Sequence, residues 1–161
     1  MNILVVSDTH GQIQKAVTMY ERLGQGIDIV LIIHCGDHKK DAVLMSKLCN
    51  KEVISVAGNN DGKPDGEIDL VKTPAGLILV THGHAENVSP DNYDELIKLA
   101  KLYEAKCVCF GHTHVPLYKE IDGIILLNPG SISRPRDGSE GSVAFITADK
   151  EFNASIIPYM P

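Results

Sequence analysis

The sequence has no tryptophan, and five tyrosines and three phenylalanines make up an aromatic content of only 5%. Single-stranded nucleic acid is held largely by stacking bases on such rings, so this class of binder is poorly served. Positive charge is also scarce: 15 Lys and Arg against 21 Asp and Glu leave a net charge of −6. Affinity for a phosphate backbone needs a basic excess, so no stable nucleic-acid binding is expected. A small phosphate substrate stays open, because bound cations would reverse the sign locally. No apolar run approaches the roughly 18 residues of a membrane span. The start Met1-Asn2-Ile3-Leu4-Val5-Val6 enters a strand pattern without the basic region of a signal peptide. The four cysteines, Cys35, Cys49, Cys107 and Cys109, show no CxxC spacing. Three lie in apolar strand-like runs and one closes a helical run, so buried thiols in a reducing, cytoplasmic setting are expected.

What is present suits one α/β domain spanning 1–161. Residues 2–7 form a continuous apolar run, as in a strand buried on both faces. Helical spacing follows over 13–24, a strand over 28–34, a helix over 40–48 with Val43, Leu44 and Leu48 inward, and a strand over 52–57. This alternation implies a parallel sheet. The second half reads as hairpins: 67–73 with 77–82 around Pro74-Ala75-Gly76, 115–121 with 124–127 around Asp122-Gly123, and 142–148 with 151–157 around Asp149-Lys150. Between them lie a helix over 91–103, started by Ser89-Pro90, and a strand over 106–110. Two sheets packed face to face with helices outside would accommodate this pattern, and so would one large mixed sheet.

Every polar cluster falls just after an apolar strand. Asp8-Thr9-His10-Gly11 follows the first, Gly36-Asp37 the second and Gly58-Asn59-Asn60-Asp61 the third. His82-Gly83-His84 and Gly111-His112-Thr113-His114 follow two later strands. Ligands of open α/β sheets bind beyond the carboxyl ends of strands, so five such ends would deliver these residues to one rim. Two carboxylates, one amide oxygen and four imidazoles give seven candidate metal ligands: Asp8, His10, Asp37, Asn59, His82, His112 and His114. Seven is too many for one tetrahedral zinc, so two divalent ions are expected. Oxygen and nitrogen donors without thiolate suit manganese first, with nickel, cobalt, iron or zinc as alternatives. Paired divalent cations in turn favour an anionic substrate and activate water for attack on phosphorus. His34 and His38 fall outside the clusters and read as structural or surface residues.

The order Asp-x-His, Gly-Asp, Gly-Asn-x-Asp, His-Gly-His, Gly-His-Thr-His resembles the calcineurin-like metallophosphoesterase superfamily. Asn128-Pro129-Gly130-Ser131 followed by Arg134 is similar to its small, YfcE-like phosphodiesterase branch. The resemblance runs from Asp8 to about Arg136. It implies a four-layer αββα sandwich, two mixed sheets face to face with helices outside. It also implies one ion on Asp8, His10, Asp37 and His114, and another on Asp37, Asn59, His82 and His112. A hydroxide bridging the two would attack a small phosphodiester in line.

One departure affects the chemistry. Relatives often carry His, or Cys, where this chain has Asn60. A carboxamide donates hydrogen bonds but is no useful general acid near pH 7. Asn60 is therefore expected to contact substrate, with His84 as a substitute acid and Arg134 as a phosphate contact. A preference for esters with good leaving groups follows. The rival readings are a phosphomonoesterase or protein phosphatase on the same site, and a scaffold akin to the retromer subunit that shares this fold. Small proteins of this branch often pair, so a homo-oligomer is compatible with the sequence.

Overall fold

Along Asn2–Val6 (β1), Ile3 and Val5 point one way and Leu4 and Val6 the other, and all four are fully buried. Successive side chains of a strand face opposite sides, so a strand apolar at every position must be covered twice. The computed structural model, which describes residues 1–161, shows both covers. In chain order the elements are β1, Ile13–Leu23 (α1), Leu31–His34 (β2), Lys39–Cys49 (α2), Val53–Ser55 (β3), Ile68–Thr73 (β4) and Gly76–Thr81 (β5). Then come Asp94–Leu102 (α3), Ala105–Cys109 (β6), Leu117–Ile121 (β7), Ile124–Asn128 (β8), Ser142–Ala148 (β9) and Phe152–Pro158 (β10).

Two five-stranded sheets result, in the orders β10-β9-β1-β2-β3 and β4-β5-β6-β8-β7. The first sheet has a parallel core, β1-β2-β3, extended by antiparallel β9 and β10. The second has parallel β5-β6-β8 flanked by antiparallel β4 and β7. Ile3, Val5 and Ile33 of the first sheet share a core with Ile78, Val80, Cys107 and Cys109 of the second. The opposite faces pack outward. Leu4, Val6 and Ile32 meet Ala16, Met19 and Met45 of α1 and α2, while Leu79, Val108 and Leu126 meet Leu96 and Ala100 of α3. The layers are therefore α, β, β, α, and the alternative of one large mixed sheet is excluded. All four cysteines are free and buried. No helix is long and apolar enough to cross a membrane.

All three predicted hairpins form. Asp122 and Gly123 both take positive φ, 54° and 74°, as a tight type I′ turn requires. Two expectations fail. Val43, Leu44 and Leu48 do not face inward; they are 57%, 48% and 60% exposed. The buried line on α2 is Asp41, Ala42, Met45 and Cys49. The helix carries two apolar stripes, and the choice between them is made by Asp41. Its carboxylate accepts hydrogen bonds from Thr9 Oγ1 at 2.6 Å and from the Gly11 N–H at 2.7 Å, which rotates that face inward. Nor does α3 begin at Ser89-Pro90. The backbones of Ser89 and Asn92 bond each other at 3.2 and 3.1 Å, closing a loop, and the helix starts at Asp94. Asn92 Oδ1 accepts the Asp94 N–H in place of the expected Ser89 cap.

Candidate metal centre

The ends of β1, β2 and β3 deliver Asp8, His10, Asp37 and Asn59, and the ends of β5 and β6 deliver His82, His112 and His114. Each residue sits where the chain turns sharply off a strand. Ten non-glycine residues have positive φ, and Asp8, His10, Asp37, His112 and His114 are five of them. Such backbone costs on the order of 1–3 kcal/mol per residue and concentrates where function demands it. Glycines permit the crowding. A Cβ on Gly58 would strike the Asp37 carboxylate, and one on Gly111 would strike Ser7 and Asp8.

The donor atoms converge with nothing between them. Single donor atoms from Asp8, His10, Asp37 and His114 all lie within 4.8 Å of one another. Asn59 Oδ1 lies 3.2 Å from both His82 Nε2 and His112 Nδ1, and His82 Nε2 is 3.5 Å from Asp37 Oδ1. The imidazole protons are held on the outer side. His82 Nδ1 donates to the Cys35 carbonyl at 2.6 Å, and His114 Nδ1 donates to the Arg134 carbonyl at 2.7 Å. In the neutral rings, Nε2 of both therefore presents a lone pair to carboxylate and amide oxygens. Acceptors facing acceptors repel unless a cation sits among them. Asp8 shows the same need: its Oδ1 is buried without a hydrogen bond, although His114 Nε2 is 3.1 Å away. Orientation of metal-binding imidazoles by backbone carbonyls is the usual arrangement around such ions. The residues present fit a bound metal.

Charge follows the geometry. Burial pushes the Asp8 carboxyl up, but His114, His82 and Ser7 together outweigh it and hold the group below its usual range. The Asp8 carboxylate raises His114, while burial lowers His10 and His112.

A second ring of side chains fixes these loops; Asp41 and Ser133 were not singled out in the sequence, while His34, expected to be structural or on the surface, is buried and structural. Gly36 N–H donates to His34 Nδ1 at 3.2 Å, so His34 Nε2 carries the proton and donates to Thr9 Oγ1 at 2.9 Å. Thr9 in turn donates to Asp41, closing a buried chain beneath the Asp8–His10 loop. Full burial drives His34 down to about 4, so it is neutral there. Ser131 and Ser133 hydroxyls both donate to the Asp8 carbonyl at 2.8 Å. Asn128 Nδ2 reaches the Gly111 carbonyl and Thr113 Oγ1. The Asn-Pro-Gly-Ser motif thus braces the loops that carry Asp8 and His112. Asp61 accepts from the N–H groups of Gly58 and Lys39, fixing the turn that presents Asn59. Nothing in the local pattern marked Asp41; the Thr between Asp8 and His10 was the one available hint.

A cavity of about 390 Å³ opens over the cluster, lined by His10, Asp37, Asn59, Asn60, His112 and His114, with Arg134, Pro135 and Arg136. Asn60 donates its side chain to Asp37 Oδ2 at 2.5 Å and its backbone N–H to Oδ1 at 3.0 Å. His84 does not border the cavity; its Nε2 donates to the Lys63 carbonyl at 2.8 Å. Of the loops 62–66, 84–91 and 132–141, only the last contributes to this wall.

Residues 1–151 match the description of the calcineurin-like phosphoesterase superfamily domain. The chain belongs to that superfamily. It is 32% identical over 152 residues to the probable metallophosphoesterase YsnB of Bacillus subtilis, covering 94% of this chain and 86% of that one. Against the phosphodiesterase MJ0936 of Methanocaldococcus jannaschii the identity is 29% over 149 residues, covering 81% and 83%. A crystal structure of a predicted phosphoesterase from Streptococcus pneumoniae superposes with a TM-score of 0.77 at 27% identity, covering 99% of this chain and 92% of that one. The acceptor cluster lies at the rim shared by the two sheets.

Proposed function

We propose that the chain hydrolyses phosphodiesters with two divalent ions. Asp8, His10, Asp37 and His114 would hold one and Asp37, Asn59, His82 and His112 the other, with Asp37 serving both. One observation carries this reading: carboxylate oxygens of buried Asp8 and Asp37, and the Asn59 amide oxygen, face imidazole nitrogens across 3.1–3.5 Å, an arrangement that positive charge stabilises. The oxygen and nitrogen donor set accepts manganese, nickel, cobalt, iron or zinc, so availability decides among them, and manganese is the first candidate tested. When bound, such ions supply Lewis acidity toward phosphoryl oxygen and acidify water.

The chain's own residues orient and discriminate. Asn60 holds the Asp37 carboxylate and stands on the cavity wall, where its N–H groups can donate to a phosphoryl oxygen. Arg134 stands on the same wall, where its guanidinium can take one phosphate group of the substrate bidentately. Apart from the candidate ligands, only the two arginines bring an ionisable side chain to the cavity. Neither they nor Asn60 can usefully give up a proton near pH 7. With His84 bonded to Lys63 outside the wall, its service as general acid would require that contact to break. A leaving group stable as an anion is therefore favoured, as in aryl phosphodiesters.

The test begins with elemental analysis of protein purified without added metal. Turnover of bis-p-nitrophenyl phosphate and p-nitrophenyl phosphate is then compared with Mn, Ni, Co, Zn and Mg. The diester should be hydrolysed faster, with Mn among the best ions. Faster monoester hydrolysis would make the chain a monoesterase. A chain that binds no metal and cleaves neither ester would instead act as a scaffold.

A further inference from the structure

We infer that the substrate carries a second anionic group beyond the reacting phosphodiester, and that Arg134 and Arg136 receive it. This rests on the phosphodiesterase reading above. Pro135 apart, every residue lining the cavity is polar or charged, so no aliphatic or Phe/Tyr/Trp wall is offered to an acyl chain or a base. Its charged side chains other than the candidate ligands are the two guanidiniums. Neither makes an ion pair: the chain's salt bridges involve other cations, and the neighbouring Asp137 uses Oδ1 to accept the Ser139 N–H.

These arginines are not on a loosely attached loop. The Arg134 carbonyl accepts from His114 Nδ1 at 2.7 Å, and the Arg136 N–H donates to the His114 carbonyl at 3.1 Å. The Arg134 N–H donates to Ser131 Oγ at 2.8 Å, and Ser131 is itself bonded to Asp8. Pro135 between them restricts the backbone further. The backbone from which both arginines project is therefore tied to the cluster's own residues.

The charge balance points the same way. Two divalent ions over Asp8 and Asp37 leave two positive charges, which a hydroxide and a singly charged phosphodiester neutralise. Arg134 and Arg136 then add two more with no counter-charge in the cavity. A phosphomonoester elsewhere on the substrate supplies about two negative charges near pH 7. Guanidinium recognises such a group with paired hydrogen bonds. The substrate class is therefore a phosphodiester with a phosphomonoester on one of its alcohol arms.

A matched pair of substrates tests this on the Mn-loaded enzyme: thymidine 5′-(p-nitrophenyl phosphate), and the same ester bearing a 3′-phosphate. Both lose p-nitrophenol from the same bond. The added phosphate should raise kcat/KM about tenfold, mainly through KM. Arg134→Gln and Arg136→Gln should each shrink that ratio, the double variant should bring it near one, and Arg136→Lys should keep part of it. A wild-type ratio near one, or a ratio that survives the double variant, would overturn the inference while leaving the phosphodiesterase reading intact. If neither ester is cleaved, the phosphodiesterase reading fails separately. Calorimetry with thymidine 3′,5′-bisphosphate and 5′-monophosphate on the same proteins then decides. Tighter bisphosphate binding that the double variant loses supports the arginine site, and equal binding refutes it.

Discussion

Asn60 gives its backbone N–H and one side-chain N–H to Asp37, and a ring at that position would replace a carboxamide with a group that can release a proton. Asn60→His should therefore raise turnover of alkyl phosphodiesters more than of aryl ones, because only the alkyl leaving group needs protonation. Steady-state rates on a matched alkyl and aryl pair check this, and equal factors for both would remove Asn60 as the cause of the preference. His34 offers a prediction of another kind. It is held neutral, with a folded value of about 4 against about 6.5 in the unfolded chain. The unfolded state thus binds the extra proton first, so stability is full above about pH 6.5 and falls as pH drops toward 4. Urea unfolding of chelator-treated protein should show a loss of about 2 kcal/mol between pH 7 and pH 5 from this group. His34→Gln should show a correspondingly shallower pH dependence, and identical slopes would mean that His34 does not stay neutral in the fold. The seven candidate ligands were readable because each stands within two residues of a glycine or another histidine at a strand end. His34 and Asp41 were not, because their roles depend on Thr9, 25 and 32 positions away, respectively.

Helix α2 shows what an element's sequence leaves open. Ala42, Met45 and Cys49 form one apolar line and Val43, Leu44 and Leu48 another, so periodicity alone cannot choose between them. The choice comes from two hydrogen bonds that Asp41 makes to a loop of another element. Truncation reads the outcome directly. Met45→Ala should cost about 2–5 kcal/mol, as removal of a buried Met does. Leu48→Lys should stay within about 0.5 kcal/mol of the parent, as exposed substitutions do. Chemical denaturation of the two variants tests the assignment, and a reversed order would put the first stripe outside. The strands were legible where the helix was not. A strand covered on both faces needs an uninterrupted apolar run, and polar residues mark its end. Strand lengths were overestimated where apolar residues extend beyond the strand's ends, as at Ile29 before β2 and Val56 after β3, both buried but outside the strands.

At the scale of the molecule, the cluster joins two sheets that are otherwise held by apolar packing. Asp8, His10, Asp37 and Asn59 come from the rim of the first sheet, and His82, His112 and His114 from the second. The unfolded chain cannot assemble donors separated by about a hundred residues, so ions bind the folded state almost exclusively and stabilise it by mass action. Metal at a hundred times its dissociation constant should add about 2.7 kcal/mol. For a chain of this length that corresponds to roughly 5–10 °C in melting temperature. At a given metal concentration the increment should be larger than for a surface site, because relief of the facing lone pairs of His82, His114, Asn59 and Asp8 lowers the dissociation constant. Asp37→Asn keeps the shape of the side chain while removing the charge at the centre of the cluster, so it should lose most of the increment yet melt close to the metal-free parent. Calorimetric scans with Mn and with EDTA measure both quantities. A parent that melts at the same temperature in both would show that the two rims close without a cation, and the acceptor cluster would then need another source of positive charge.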